Sequence, residues 1–198
     1  MKNLKIRYYL YYKFLNSLFL GLSVGSVFVL YAPLEPSVFS LGGIFLALGM
    51  LFLTKIYYKI MNIRSFFYIT LFVEIVVFVF VLAFLILNYS YKSALLVYIG
   101  YELTFVFGSY LVRMETIALH KTQVLSWADA MKQKGYLAGL ILSYLFYKIL
   151  DIIHITNKQI QVYDLYLLLL LLEIGIIFTV YKTFIFTKEK RKHHELVD

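Results

Sequence analysis

The chain has 198 residues, 62% of them hydrophobic and 15% charged, where a soluble domain averages about 45–50% apolar and 25% charged. Its mean hydropathy is +0.81, and no soluble fold of this size has the interior for that composition, because a domain of about 150 residues buries only about 70% of the surface its chain exposes. Cysteine is absent, which excludes disulfides, thiolate metal sites and thiol catalysis, and the net charge of +8 sits beside apolar segments, where it is a topology signal rather than a nucleic-acid footprint.

The excess apolar surface must face lipid, where every backbone N–H and C=O has to pair within the protein, in helices or in a closed barrel. Barrel strands alternate apolar and polar residues, and the runs 67–87 and 165–180 do not. The sequence therefore predicts an all-α polytopic membrane protein. A helix needs about 20 mostly apolar residues to cross a core about 30 Å thick, and six windows of one transmembrane domain meet that need: 14–32, 38–60, 66–87, 94–112, 135–153 and 165–185.

Span one follows Lys2, Lys5, Arg7 and Lys13 and ends at Ala32-Pro33-Leu34-Glu35-Pro36 without a small-x-small cleavage site, so it reads as a retained helix and not a signal peptide. Its Gly21 and Gly25 have the spacing of a close helix contact, and Asn16 is a candidate cavity residue. Both prolines of the 33–36 turn fix φ, which makes that turn rigid. Span two carries Gly42, Gly43 and Gly49, and reaches full length only if Ile56 to Ile60 extend it. Lys55, Lys59 and Arg64 lead into span three, which holds Glu74; a tight link at 88–92 leads into span four, which holds Tyr98, Tyr101 and Glu102.

The long connection, 113–134, mixes Met114, Ile117, Val124, Leu125, Trp127 and Met131 with His120, Lys121, Asp129, Lys132 and Lys134. That mixture fits an amphipathic helix lying at the membrane interface with Trp127 as anchor; an ordinary linker is the alternative. Gly135 and Gly139 open span five, whose Lys148 lies near the end, where it can snorkel. Span six holds Glu173, and a basic tail at 188–192 follows. Tyr8, Tyr9, Tyr11, Tyr12, Tyr57 and Tyr58 fall where an interfacial aromatic belt belongs.

Of the 19 Lys and Arg residues, all but Lys92, Lys148 and Lys158 fall before span one, from the end of span two to the start of three, between four and five, or from the end of span six onward. Cytoplasmic segments carry the Lys/Arg excess, so both termini are expected in the cytoplasm of a cell whose inner membrane holds the protein.

Signatures of catalysis are lacking: there is no His-Glu-x-x-His, Gly-x-Ser-x-Gly, Walker loop or Gly-x-Gly-x-x-Gly. His120, His154, His193 and His194 lie in loops or the tail. No catalytic residue, metal or cofactor is expected, and the chain does not read as an enzyme. The informative residues are three acids inside the spans, Glu74, Glu102 and Glu173, each about 12–14 Å along its helix from one membrane face at 1.5 Å per residue. A charge at that depth costs at least about 2.5–3.5 kcal/mol, and intramembrane acids mark ion or substrate paths. The plainer reading is a neutral carboxyl hydrogen-bonded to Tyr or Ser on the next helix. No Lys or Arg inside a span lies at their depth, so each acid is expected either neutral or exposed to a watery cavity or a cation.

Six spans, a short basic loop after the second and a long one after the fourth resemble half of a major facilitator superfamily transporter. The loop segment Thr54-Lys55-Ile56-Tyr57-Tyr58-Lys59-Ile60-Met61-Asn62-Ile63-Arg64 keeps the basic character of that family's loop but lacks its two glycines and its aspartate, and Lys134-Gly135-Tyr136-Leu137-Ala138-Gly139 is similar to its glycine-rich fifth helix. The resemblance implies two inverted three-helix repeats, and Glu74-Ile75 and Glu173-Ile174 fall at matching depths. It also implies that spans one and four line the cavity. By that carry-over Glu102, with Tyr98 and Tyr101, is the substrate or proton site, and Glu74 and Glu173 lie outside it.

The leading expectation is a small-solute transporter acting as a parallel homodimer, since half of such a transporter cannot enclose an alternating-access path alone. The alternatives are a six-helix substrate-binding component of a vitamin uptake system, or a structural subunit of a larger membrane complex with other membrane subunits as partners. The predicted topology is tested by single cysteines. At Asn3, Thr122 and Val197 they should be protected from an impermeant reagent in intact cells, while at Ser90 and Asn157 they should react. External labelling at residue 122 would overturn the topology.

Overall fold

The computed structural model describes residues 3–185; Lys2, the basic stretch 188–192, His193 and His194 lie outside them. Seven helices follow one another: α1 (Ile6–Leu30), α2 (Pro36–Ile60), α3 (Ile63–Leu87), α4 (Tyr91–Val106), α5 (Gly108–Leu119), α6 (Thr122–Ile152) and α7 (Lys158–Thr183). With α4 and α5 counted as one interrupted span, six helices of 25 to 31 residues are long and apolar enough to cross a membrane. The fold is all-α and polytopic. The interruption falls at Phe107, beside Gly108, and glycine is a usual place for a helix to break.

Every span begins before its apolar window, because an apolar window stops at the first charges while a helix does not. The basic and tyrosine-rich flanks continue the same helices, with long side chains reaching outward. The connections are correspondingly tight, and each end has a chemical cause. Pro36 occupies the first turn of α2, where its missing N–H is not needed. Asn62 caps α3 by accepting from the Ser65 amide at 2.9 Å, a Ser90/Ser93 capping box starts α4, and Asn157 caps α7.

The segment 113–134 departs from both expectations, an interfacial helix and a linker. The structure instead ends α5 at Leu119, turns through His120 in a left-handed conformation, and starts α6 at Thr122. Met114, Leu119, Val124 and Ala128 are buried in the core of the bundle. Part of that amphipathic pattern, Met114 and Val124, therefore faces other helices, while Ile117 and Trp127 stay exposed on the outside of the bundle.

Both ends of the described chain meet at one face. β1 (Asn3–Leu4) pairs antiparallel with β2 (Phe184–Ile185), and the Lys5 amide donates to the Thr183 carbonyl at 2.8 Å. An even number of spans requires this. We call this end the terminal face.

Helix contacts follow a regular scheme. α1 packs on α6 and α7, the α4/α5 span packs on α2 and α3, and α3 meets α7. Exchanging spans one, two and three for four, five and six converts the first four of these contacts into one another and leaves α3–α7 unchanged, a scheme compatible with two inverted three-helix repeats. The two α-helix pairs are not equally close. Where α1 crosses α6, a Cβ on Gly21 would collide with the Tyr136 carbonyl and meet the Cα of Gly139 at 3.0 Å, and a Cβ on Gly135 would collide with the Phe14 carbonyl. Ser143 donates across the crossing to the Leu22 carbonyl at 3.1 Å. Of the glycines expected to mark close contact in spans one and five, Gly21 and Gly139 thus face each other, and backbone approach of this kind replaces the hydrophobic drive that helices lack in lipid.

Gly139→Leu should therefore lower stability by at least about 1–3 kcal/mol, the usual cost of overpacking, while Gly43→Leu, whose Cβ would meet nothing within 4 Å, should stay within about 0.5 kcal/mol of the parent. Unfolding of the purified variants in detergent measures both.

Candidate functional site

Glu74 and Glu173 start 99 residues apart in sequence and arrive at one level. Glu74 is 11 residues into α3 from the terminal face and Glu173 is 10 residues from the end of α7 at that face, which at 1.5 Å per residue puts both about 15–16 Å deep. Because α3 and α7 are in contact, the two carboxyls face each other within electrostatic reach. Each side chain is 1% exposed.

Their surroundings differ. Glu74 accepts from the Tyr12 hydroxyl at 2.6 Å and from the Asn16 amide at 3.1 Å. Tyr12 and Asn16 are one helical turn apart on α1, so a single face of that helix supplies both donors. Glu173 has no hydrogen bond of standard geometry to either oxygen, and the Thr70 hydroxyl is also buried and unpartnered. The Tyr101 hydroxyl lies toward Ser23 and Tyr166 without bonding to either. Unpaired buried polar groups are costly, and here they collect around one space.

That space is a cavity of about 220 Å³ bounded by α1, α3, α4, α5, α6 and α7, lined by Tyr12, Asn16, Thr70, Glu74, Tyr101 and Glu173 among others. Toward the terminal face its wall holds Lys13, Glu115 and Lys132. Lys13 and Glu115 form a hydrogen-bonded ion pair at 2.9 Å, 18% and 12% exposed. It ties α1 to α5 beside the cavity. Lys13 also bears electrostatically on Glu74. No Lys or Arg is expected at the depth of the acids, and because α1 begins at Ile6, Lys13 lies inside the span about 10 Å from the terminal face, shallower than Glu74 yet within electrostatic reach of it.

Glu102 stands apart. On α4 the residues Tyr98, Glu102 and Val106 form an i, i+4 stripe that faces α2 across an apolar groove with Gly42 and Gly49, while Tyr101, Thr104 and Phe105 face the cavity. Helical rotation of about 100° per residue separates neighbours Tyr101 and Glu102. Tyr98 donates to the Phe39 carbonyl at 3.2 Å, and one Glu102 oxygen is buried without a partner. Inside this single six-helix unit the acids are arranged otherwise than the family resemblance implies for a cavity between two halves. Glu74 and Glu173, expected outside, are central, and Glu102, expected in the cavity, lies on the flank. The carry-over supposed a cavity between two halves, whereas this one lies inside a single six-helix unit.

Of the residues singled out from sequence, Glu74, Glu173, Asn16 and Tyr101 come together, and Tyr98 and Glu102 form a separate pair. Tyr12, Thr70, Lys13, Glu115 and Lys132 were not foreseen. Tyr12 could have been found as the i−4 neighbour of Asn16, but Glu115 and Lys132 fell in what read as a loop. Among the described residues no three His, Asp or Glu converge as metal ligands do.

Reversing either end of the ion pair (Lys13→Glu or Glu115→Lys) should cost about 1.5–3 kcal/mol, the range for a hydrogen bond to a charged group, and the double reversal should recover most of it, as a double-mutant cycle by thermal unfolding would reveal. No protein-family model, no curated protein and no solved structure matches the chain.

Proposed function

We propose that this protein is a membrane transporter that moves a small solute through the central cavity, with the terminal face in the cytoplasm and the inner membrane as its location. One observation carries the reading: two fully buried carboxyls, Glu74 and Glu173, face each other beside a cavity, and neither Glu173 oxygen receives a donor from a neighbouring Tyr, Ser, Thr or Asn side chain. Purely structural carboxyls in a membrane are satisfied by their neighbours, as Glu74 is by Tyr12 and Asn16. An acid left open at mid-membrane belongs to an ion or substrate path. Two facing carboxyls there cannot both be charged without a counter-charge, so a proton or a cation completes the site in each state of a transport cycle.

The inverted contact scheme supports the same reading, since repeats of this kind place the binding site at the mid-membrane junction of their halves. A second copy packs, on this proposal, against α2. That helix buries a single residue, Leu53, and is the least enclosed of the six. In detergent the protein should then have the mass of two 23.3 kDa chains.

The test is solute-dependent flux in vesicles loaded with a pH-sensitive dye. A flux that falls at least tenfold in Glu74→Gln and Glu173→Gln and persists in Glu102→Gln is the expected result. Loss in Glu102→Gln alone would move the site to the α2/α4 groove. Silence of all three substitutions in stable proteins would overturn transport through this cavity and favour the structural-subunit reading.

A further inference from the structure

Resting on that reading of the cavity, we infer that its ligand is a small monovalent organic cation, a protonated or methylated amine, taken up in exchange for a proton.

Charge is the first argument. The cavity wall holds three carboxyl side chains, Glu74, Glu115 and Glu173, and two ammonium groups, Lys13 and Lys132. Glu115 is neutralised by Lys13. With both inner acids ionised the wall is one positive charge short of neutrality, a deficit that one monovalent cation fills and an anion deepens. A proton fills it equally, so proton and cation are alternatives at one place.

Hydrogen-bonding capacity is the second. Glu74 already accepts two side-chain donors, whereas both oxygens of Glu173 and the hydroxyl of Thr70 are buried and open. The ionised Glu173 oxygens only accept and the Thr70 hydroxyl can accept as well as donate, while a protonated amine carries only donors. The unused atoms therefore match a protonated amine by hydrogen bonds and a quaternary ammonium by charge alone, and not a carboxylate or phosphate.

Size and lining are the third. About 220 Å³ is below the roughly 300–1,000 Å³ of pockets for drug-sized ligands, yet it is several times the roughly 30 Å³ share of one water, so a bare alkali ion would leave it mostly empty. Phe19, Phe66 and Phe105 line the same wall with Tyr101. Aromatic faces attract ammonium ions, methylated ones above all, and give nothing comparable to a hydrated sodium ion. Alkyl groups would lie on the rings while the charged end faces Glu173.

Because proton and cation compete, each cation bound at a pH where the site is protonated displaces a proton, and by linkage binding weakens as pH falls. The atoms balance: the ligand arrives as R–NH₃⁺ or R–NMe₃⁺, the carboxyl proton leaves to water, and the carboxylate pairs with the ligand.

The experiment uses the whole purified protein in weak buffer, titrated with the chlorides of methylammonium, tetramethylammonium, choline and sodium and with sodium acetate. Calorimetry measures binding and a pH electrode measures released protons. An organic ammonium should bind saturably, raise Tm and release protons, with sodium chloride and sodium acetate giving neither effect. Glu173→Gln should weaken that binding at least tenfold, Glu173→Asp should retain most of it, and Glu102→Gln should leave it unchanged. Proton release by the unmodified protein keeps the test valid if a variant fails to fold. Binding of sodium or acetate in place of every ammonium, or ammonium binding indifferent to Glu173→Gln, would overturn the inference. If a neutral or anionic solute moves in the vesicles and depends on Glu173 while no ammonium binds, the ligand class is wrong and the transport reading stands. If no solute moves and none binds, both fall.

Discussion

Two carboxyl groups held against each other at the middle of a helical bundle impose the condition that the remaining structure has to satisfy. Neither Glu74 nor Glu173 reaches solvent through its own helix, and hydrocarbon supplies no partner. The bundle meets half of this demand with α1, whose Tyr12 and Asn16 converge on Glu74. It leaves the other half unmet at Glu173. An unpaired buried acid is costly, and that imbalance is what the proposed proton or cation would relieve.

Holding α1 in the position that delivers Tyr12 and Asn16 is the work of the glycine crossing with α6. Gly21 and Gly139 let the backbones approach to contact, and Ser143 locks the height of one helix against the other. Lys13 then fixes the terminal-face end of α1 to α5 through Glu115. A packing motif, a hydrogen bond and an ion pair thus serve one purpose, the placement of a donor face against Glu74. The α2/α4 side has no such closure. Tyr98 fills the space over Gly42 and Val106 the space over Gly49, so the two three-span halves share a contact scheme but not a packing density. The tighter half anchors the site.

The spans and their shared terminal face were legible in the chain. Six apolar windows and uncapped runs of about 20 residues leave the backbone no alternative in lipid, and the glycine spacings in spans one and five announced a close contact. Less was legible in the flanks. Met114 and Val124 read as part of an interfacial helix, because a sequence shows that a stripe is apolar without showing whether lipid or protein covers it.

What the sequence by itself determined is therefore the class of molecule, its six crossings and the presence of three acids at mid-depth, since these follow from local composition and a fixed rise per residue. Only the tertiary structure decided which acids meet. Tyr101 and Glu102 are neighbours in the chain and point to different places, a central cavity and an outer groove, because rotation by about 100° per residue turns adjacent side chains onto different neighbours. Glu74 and Glu173 are far apart in sequence and face each other because α3 and α7 pack together. Which helix lies beside which is a property of the whole bundle, and no local pattern encodes it.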